Sequence, residues 1–348
     1  MPKYDLLVFI GRFQPVHHGH LAVINAGLEA ASHLLILTGS ARRPRSVRDP
    51  FTVQERAQMI RACLTEEQSA RVQIRPLDDA MYNDPVWIRN VHAQVDAAIA
   101  KVFPGRAVEE LQVGLVGHSK DRSSYYLNLF PTWGSVDVPN AKGIGATALR
   151  EAYFGEGLAG AETQLRERVP GRVLAALTEF ARTDAYAELA DEQVFINRYR
   201  SQFEGLRYPV QFNTADAVVI QSGHILLVQR GARPGLGQRA LPGGFIRTDE
   251  TAQDAAIREL REETRLKVPE PVLRGSISAH ETFDDPHRST RGRTFTTAFR
   301  FDLRPSAELP KVKGGDDAKD AFWLPLARVR PEEMFEDHYF IIQKMVGI

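Results

Sequence analysis

Two short stretches of this 348-residue chain gather side chains whose types and spacing could do chemistry. The first is GRFQPVHHGH, residues 11–20, which sets His17 and His20 on either side of Gly19. Imidazoles that are protonated or donate an N–H stabilise charge on a phosphate undergoing displacement. Gly11 lets a ligand approach the backbone closely, and Pro15 fixes a turn. The second is GFIRTDETAQDAAIRELREETRL, residues 244–266, with Gly244, Glu250, Arg258, Glu259, Glu262 and Glu263 in fixed spacing. Glu259, Glu262 and Glu263 stand at i, i+3 and i+4 and share one helix face. Three crowded carboxylates repel each other. A divalent cation relieves that repulsion, and hard oxygen donors suit Mg²⁺ or Mn²⁺.

Each stretch needs elements to position it. Residues 4–10 read as a buried strand and residues 19–31 as a helix, so the histidines fall where a strand ends and a helix opens. Free N–H groups and the helix dipole favour phosphate there. Strands over 33–38, 72–77 and 112–117 alternate with helices over 52–64 and 84–101. Thr52 and Glu55 have the spacing of a capping box. This alternation predicts an α/β domain with a parallel sheet. The second half reads as α+β with a mixed sheet. Strands at 215–221 and 224–229 are joined by Ser222-Gly223, a helix spans 251–264, further strands run over 276–280 and 294–303, and a closing helix covers 335–346. The predicted organisation is a first domain over residues 1–185, a helical connection over 186–205 and a second domain over 206–348.

Composition narrows the classes. Lys+Arg and Asp+Glu are 44 each, giving a formal charge of +0, which argues against nucleic acid as a partner. The single cysteine, Cys63, excludes an intrachain disulfide and a cysteine-rich zinc site. Apolar runs such as 6–10 and 34–37 fall far below the roughly 18 residues that span a bilayer. No membrane partner is expected, and a soluble cytoplasmic protein is the expectation.

The first stretch resembles the HxGH superfamily of nucleotidyltransferases, which implies a Rossmann-like fold. That resemblance puts ATP against Gly11, Arg12, Phe13 and Gly19, with His17 and His20 catalytic. The family's second signature matches residues 143–150, GIGATALR, where Thr147 would cap a helix and Arg150 would hold the β- and γ-phosphates. Gly145 stands where the family usually has serine. Residues 48–56, RDPFTVQER, and 82–87, YNDPVW, resemble the nicotinamide mononucleotide adenylyltransferases of the archaeal type. Trp87 would then stack on the nicotinamide ring, with core packing as its other reading. Lys120, just past the strand ending near Gly117, would touch phosphate or stay in solvent. The implied reaction joins the mononucleotide to ATP, giving NAD and pyrophosphate, with Mg²⁺ on the triphosphate.

The second stretch resembles the Nudix box. Glu259, Glu262 and Glu263 would bind Mg²⁺ or Mn²⁺, and Glu262 is also counted as catalytic, with the general base left open. Arg258 would orient an acidic neighbour, while Gly244 and Glu250 support the loop. Arg265 departs from the family's glycine and must either strain the helix exit or change its course. Residues 283–293, with Arg288, Arg291 and Arg293, resemble ADP-ribose pyrophosphatases and would contact ADP-ribose; otherwise they form a basic loop. The order of the two stretches resembles the bifunctional adenylyltransferase/Nudix hydrolases, and a homo-oligomer is left open. The competing readings are a nucleotidyl transfer to another acceptor, a Nudix domain for another substrate, and a ligand-sensing Nudix domain.

Overall fold

The run YDLLVFIG has apolar side chains on both of its faces and becomes the centre of a sheet. In the computed structural model, which describes residues 2–117, 129–139 and 145–348, it forms β1 (Tyr4–Gly11). The chain divides into two units, residues 1–193 and 194–348.

The first unit continues with α1 (His18–Ala30), β2 (Ala31–Thr38), α2 (Val53–Ala62), α3 (Glu66–Arg71), β3 (Val72–Pro76) and α4 (Asp84–Val102). It then adds β4 (Val113–Gly117), β5 (Gly134–Asp137), α5 (Ala146–Gly155), α6 (Gly157–Arg168) and α7 (Gly171–Phe180). One helix, α8 (Asp184–Ser201), contains the division between the units. The sheet order is β3-β2-β1-β4-β5, and every pairing is parallel. This is the expected α/β Rossmann-like arrangement. Both faces are covered: Val23 and Ile24 of α1 pack on one side, and Val91 and Val95 of α4 on the other. The order reverses at β1, between β2 and β4, and such a switch point opens a crevice at the strands' carboxyl ends. Thr52 caps α2 as expected, accepting from the Glu55 N–H while Glu55 accepts from the Thr52 N–H.

The second unit comprises β6 (Gln211–Gln221), β7 (His224–Arg230), β8 (Arg239–Ala240), β9 (Gly243–Phe245), α9 (Ala252–Thr264) and α10 (Glu270–Gly275). It ends with β10 (Ile277–Phe283), β11 (Arg293–Asp302), β12 (Ala318–Pro325) and α11 (His338–Val346). Its seven strands form a mixed sheet ordered β10-β11-β6-β7-β12, with β8 beside β7 and β9 beside β6. Only β11 and β6 pair in parallel among these. Ser222 and Gly223 both have positive φ, 46° and 73°, as the two-residue hairpin between β6 and β7 requires. The apolar stripe of α9, Ala255, Ala256 and Leu260, packs on Ala215, Ala217 and Val219 of β6. The sequence reading did not anticipate β12, and it started the closing helix at 335 rather than at His338. No described helix is long and apolar enough to cross a membrane.

Candidate active sites

In the first unit, the residues 11–20 loop leaves β1 at the switch point and enters α1 with His17 at the N-cap. The His17 and His20 rings stack with centroids 3.7 Å apart and planes 23° apart. The His17 backbone N–H donates to His20 Nδ1 at 3.2 Å. A neutral ring that accepts at Nδ1 carries its proton on Nε2, so His20 keeps an N–H donor. Phe13 closes the other side, 4.7 Å from the His20 ring. Both glycines are closely packed. A Cβ on Gly19 would lie 3.0 Å from the His17 ring, and one on Gly11 would lie 3.0 Å from the Phe13 ring. Phe13 itself holds a left-handed φ of 55° while buried, a strained backbone of the kind found at ligand sites.

Three buried polar side chains brace this loop. Arg56 donates to the Arg12 carbonyl at 2.8 Å and to the Gly39 carbonyl at 2.6 Å, tying the end of β1 to the end of β2. The Gln14 amide donates to the Phe51 carbonyl and accepts from the Phe51 N–H, at 3.0 and 2.9 Å. Arg150 of α5 donates to the carbonyls of Gln14 at 2.8 Å and Val47 at 3.1 Å. The expectation for Arg150 is a phosphate contact. Its guanidinium is buried on main-chain oxygens, and burial followed by the nearby Arg12 charge lowers its pKa to about 10. It remains a cation at neutral pH, but as a strut beneath the loop rather than a free arm. Thr147 is corrected. The N-cap of α5 is Gly145, and the Thr147 hydroxyl accepts from Arg150 at 3.3 Å instead of capping. Arg12 stays partly exposed, with Nη1 3.8 Å from the buried Asp49 carboxylate.

Trp87 lies in the first turn of α4, whose N-cap Asn83 accepts from the Val86 N–H. It is half-buried, 6.1 Å from Phe130, and packs on the core layer beneath α4. Lys120, Gly143 and Ile144 lie outside the described residues.

In the second unit, α9 begins at a capping box between Thr251 and Asp254. Arg258 is the hub. It grips Glu250 through two hydrogen bonds of 2.9 and 2.5 Å and donates to Glu259 at 2.6 Å, Glu262 at 3.0 Å and the Phe245 carbonyl at 3.1 Å. The Arg258 hydrogen bonds hold Glu250 far below the usual carboxylate range, at about 2. Arg258 thus touches Glu250, Glu259 and Glu262 at once. Gly244 makes room for Glu259: a Cβ there would lie 2.5 Å from Oε1.

The acidic set differs from the expected one. Carboxylate oxygens of Glu259, Glu262 and Asp316 all lie within 4.8 Å of one another. Glu263 instead accepts from the Gly243 N–H at 3.0 Å, and burial, followed by neighbouring Asp317, pushes it up to about 9. Burial also raises Glu259. Raised carboxylates crowded together are what a divalent cation would relieve, so the donor set fits Mg²⁺ or Mn²⁺. Asp316 and Asp317 escaped the sequence reading, although the run Gly314-Gly315-Asp316-Asp317 sets two acids behind two glycines. Arg265 resolves its departure by straining: it adopts φ 51°, ψ 27°.

The arginines after the box divide. Arg288 is a correction. Its side chain is 3% exposed and forms a two-pronged ion pair with fully buried Asp337, both bonds 2.9 Å, so it is structural. Arg293 binds the Asp284 carbonyl and lies over Phe295. Arg291 lies over the exposed Phe245 ring, 5.2 Å from its centroid.

Comparison with known proteins separates the same two halves. A cytidylyltransferase-like family model matches residues 8–106, and a NUDIX domain model matches residues 211–345. A nicotinamide/nicotinic acid mononucleotide adenylyltransferase of Acinetobacter baylyi is 42% identical over 155 residues, 44% of this chain and 78% of that protein. An ADP-ribose pyrophosphatase of Methanocaldococcus jannaschii is 35% identical over 128 residues, 37% of this chain and 69% of that one. Among solved structures, a bifunctional NMN adenylyltransferase/ADP ribose pyrophosphatase from Francisella tularensis, complexed with AMP and a manganese ion, matches with a TM-score of 0.86. It is 33% identical, with 99% of both chains covered.

Proposed function

Since the chain belongs to the family of bifunctional NMN adenylyltransferase/ADP-ribose pyrophosphatases, we propose that it joins nicotinamide mononucleotide to ATP in one unit and hydrolyses ADP-ribose in the other. The observation that carries this reading is that one chain holds two chemically opposite clusters. The first is the paired His17 and His20 at a helix N-terminus. The second is the Arg258-braced carboxylate cluster.

In the first unit, a phosphate oxygen of the mononucleotide attacks the α-phosphorus of ATP. The bond to the bridging oxygen breaks, and pyrophosphate leaves as NAD forms. His17, the His20 Nε2–H and the exposed part of Arg12 meet the negative charge of the triphosphate, with Gly11, Phe13 and Gly19 shaping the loop. Arg56, Gln14 and Arg150 keep that loop from relaxing, so little reorganisation is needed as charge develops. Trp87 offers an indole face to the cationic nicotinamide ring. Mg²⁺ enters with the triphosphate as part of the substrate.

In the second unit, Glu259, Glu262 and Asp316 would hold Mg²⁺ or Mn²⁺, with Glu263 beside them. Bound there, the cation would polarise the diphosphate and make a water more acidic. Arg258 fixes the carboxylates, while Arg291 and the Phe245 ring present a cation and an aromatic face to ADP-ribose. The products are AMP and ribose 5-phosphate. The test is substrate choice. With ATP, nicotinamide mononucleotide should be consumed ahead of phosphopantetheine, and CTP should not replace ATP. With Mn²⁺, ADP-ribose should yield AMP. Preference for another acceptor would overturn the first half, and an inert ADP-ribose mixture the second.

A further inference from the structure

The exit of α9 carries a feature that the carboxylate cluster alone does not explain. Arg265 occupies the left-handed region, φ 51° and ψ 27°, where a side chain is strained and glycine is not. Its N–H returns to the Arg261 carbonyl at 3.0 Å, closing the last turn. The helix's final carbonyls then accept from a distant segment: Gly315 N–H to Glu263 O and Lys313 N–H to Thr264 O, both 2.9 Å. Residues 313–315 thus cap the end of α9, and Asp316 follows directly. Gly315 is buried under this exit. A Cβ on it would lie 2.4 Å from the Glu262 carbonyl, 3.1 Å from Arg265 Nε and 3.4 Å from Arg265 Cγ. The Arg265 side chain therefore lies on Gly315, the residue that presents Asp316 to Glu259 and Glu262.

We propose that Arg265 is a positioning residue for the cation site: its side chain closes over Gly315 and holds the Asp316 carboxylate within reach of Glu259 and Glu262. This rests on the reading of that cluster as a divalent-cation site. Glycine at 265 would take the same backbone exit with less strain but would remove the side chain that covers Gly315 beside the Glu262 carbonyl. The strained arginine exchanges backbone comfort for a fixed third carboxylate, and strain stored beside a functional site is a recognised arrangement. Asp316 itself has φ 49°, so its loop needs support from outside to hold one conformation.

The test is Mn²⁺ binding by the full chain without nucleotide, followed by the electron paramagnetic resonance of free Mn²⁺, alongside thermal melting. Arg265→Gly should melt no lower than the unchanged protein yet bind Mn²⁺ about tenfold more weakly, the usual scale for losing an outer support of a metal ligand. Arg265→Lys, which keeps the aliphatic stem over Gly315, should stay near the unchanged protein. Asp316→Asn should weaken binding as well, and combining it with Arg265→Gly should add little, because both changes act through one carboxylate. Unchanged Mn²⁺ affinity in Arg265→Gly, or losses that add in full with Asp316→Asn, would overturn the inference alone. Absence of Mn²⁺ binding by the unchanged protein would overturn the cation-site reading and this inference with it.

Discussion

Gly244→Ala should disable the hydrolytic unit without unfolding it. Gly244 sits in β9, held against Ala215 of β6, so its backbone has little freedom to retreat. The new methyl would stand 2.5 Å from Glu259 Oε1 and 2.7 Å from its Cδ, whereas ordinary contact begins at 3.4 Å. The carboxylate must therefore withdraw by about 0.9 Å, which rotation of a flexible side chain can supply without disturbing the sheet. That withdrawal takes Glu259 away from Arg258, which now holds it at 2.6 Å, and away from Glu262 and Asp316. A misplacement near 1 Å at a reacting centre costs about 10²-fold in rate, or about 2.7 kcal/mol of barrier. The assay is AMP release from ADP-ribose at saturating Mn²⁺, with NAD formation by the same sample as its reference. The expected result is a loss of about 10²-fold in the first and none in the second. Near-normal AMP release would refute the claim that Gly244 exists to seat Glu259.

Three further outcomes are expected. Asp337→Ala strands the Arg288 charge in a buried site and should lower the stability of the second unit by about 3–5 kcal/mol in denaturant titrations; an unshifted midpoint would contradict the structural role given to this pair. Gly145→Ser meets open space among the described residues, none of which lies within 4 Å of a Cβ there; as an N-cap serine it should raise stability by only a few tenths of a kcal/mol and leave NAD formation at least as fast, whereas a fall in either would contradict the geometry at α5. Burial pushes Glu263 from its ordinary 4.5 to about 9, so above pH 4.5 the folded chain retains a proton that the unfolded chain has released. Stability of the metal-free second unit should therefore fall as pH rises toward about 9, and Mn²⁺ should flatten that decline; equal stability at both ends of the range would contradict the buried carboxyl.

The parts of both sites that were legible in the sequence are local. The apolar run of β1, the loop carrying His17 and His20 and the helix after it follow one another within thirty residues, and a change of hydrophobic period marks each border. Arg258, Glu259 and Glu262 lie within about one helical turn, so spacing alone brings those side chains together, whereas Glu250 precedes the helix and reaches Arg258 from the loop. Long-range partners were not legible. Arg150 reads as a phosphate arm until its acceptor is seen to be the Gln14 carbonyl, 136 residues away. Arg288 reads as a ligand residue until Asp337, 49 residues on, meets it in the core. Asp316 joins Glu259 only because residues 313–315 cap α9, a backbone contact that no side-chain pattern announces. Short elements such as β5, β8 and β9, of four, two and three residues, carry too little periodicity to be seen at all. The misplaced cap at Thr147 is a smaller error of the same kind, a two-residue slip in which the capping position falls on glycine.

One chain is expected to run two independent reactions from two separate sites. This is tested most directly by assaying His20→Ala and Glu262→Gln, each for NAD formation from nicotinamide mononucleotide and ATP and for AMP release from ADP-ribose with Mn²⁺. His20→Ala should lose about 10²–10³-fold in NAD formation and keep its AMP release, as removal of one charge-stabilising donor predicts. Glu262→Gln should show the reverse. Both activities surviving in either folded variant, or both vanishing together, would contradict the account.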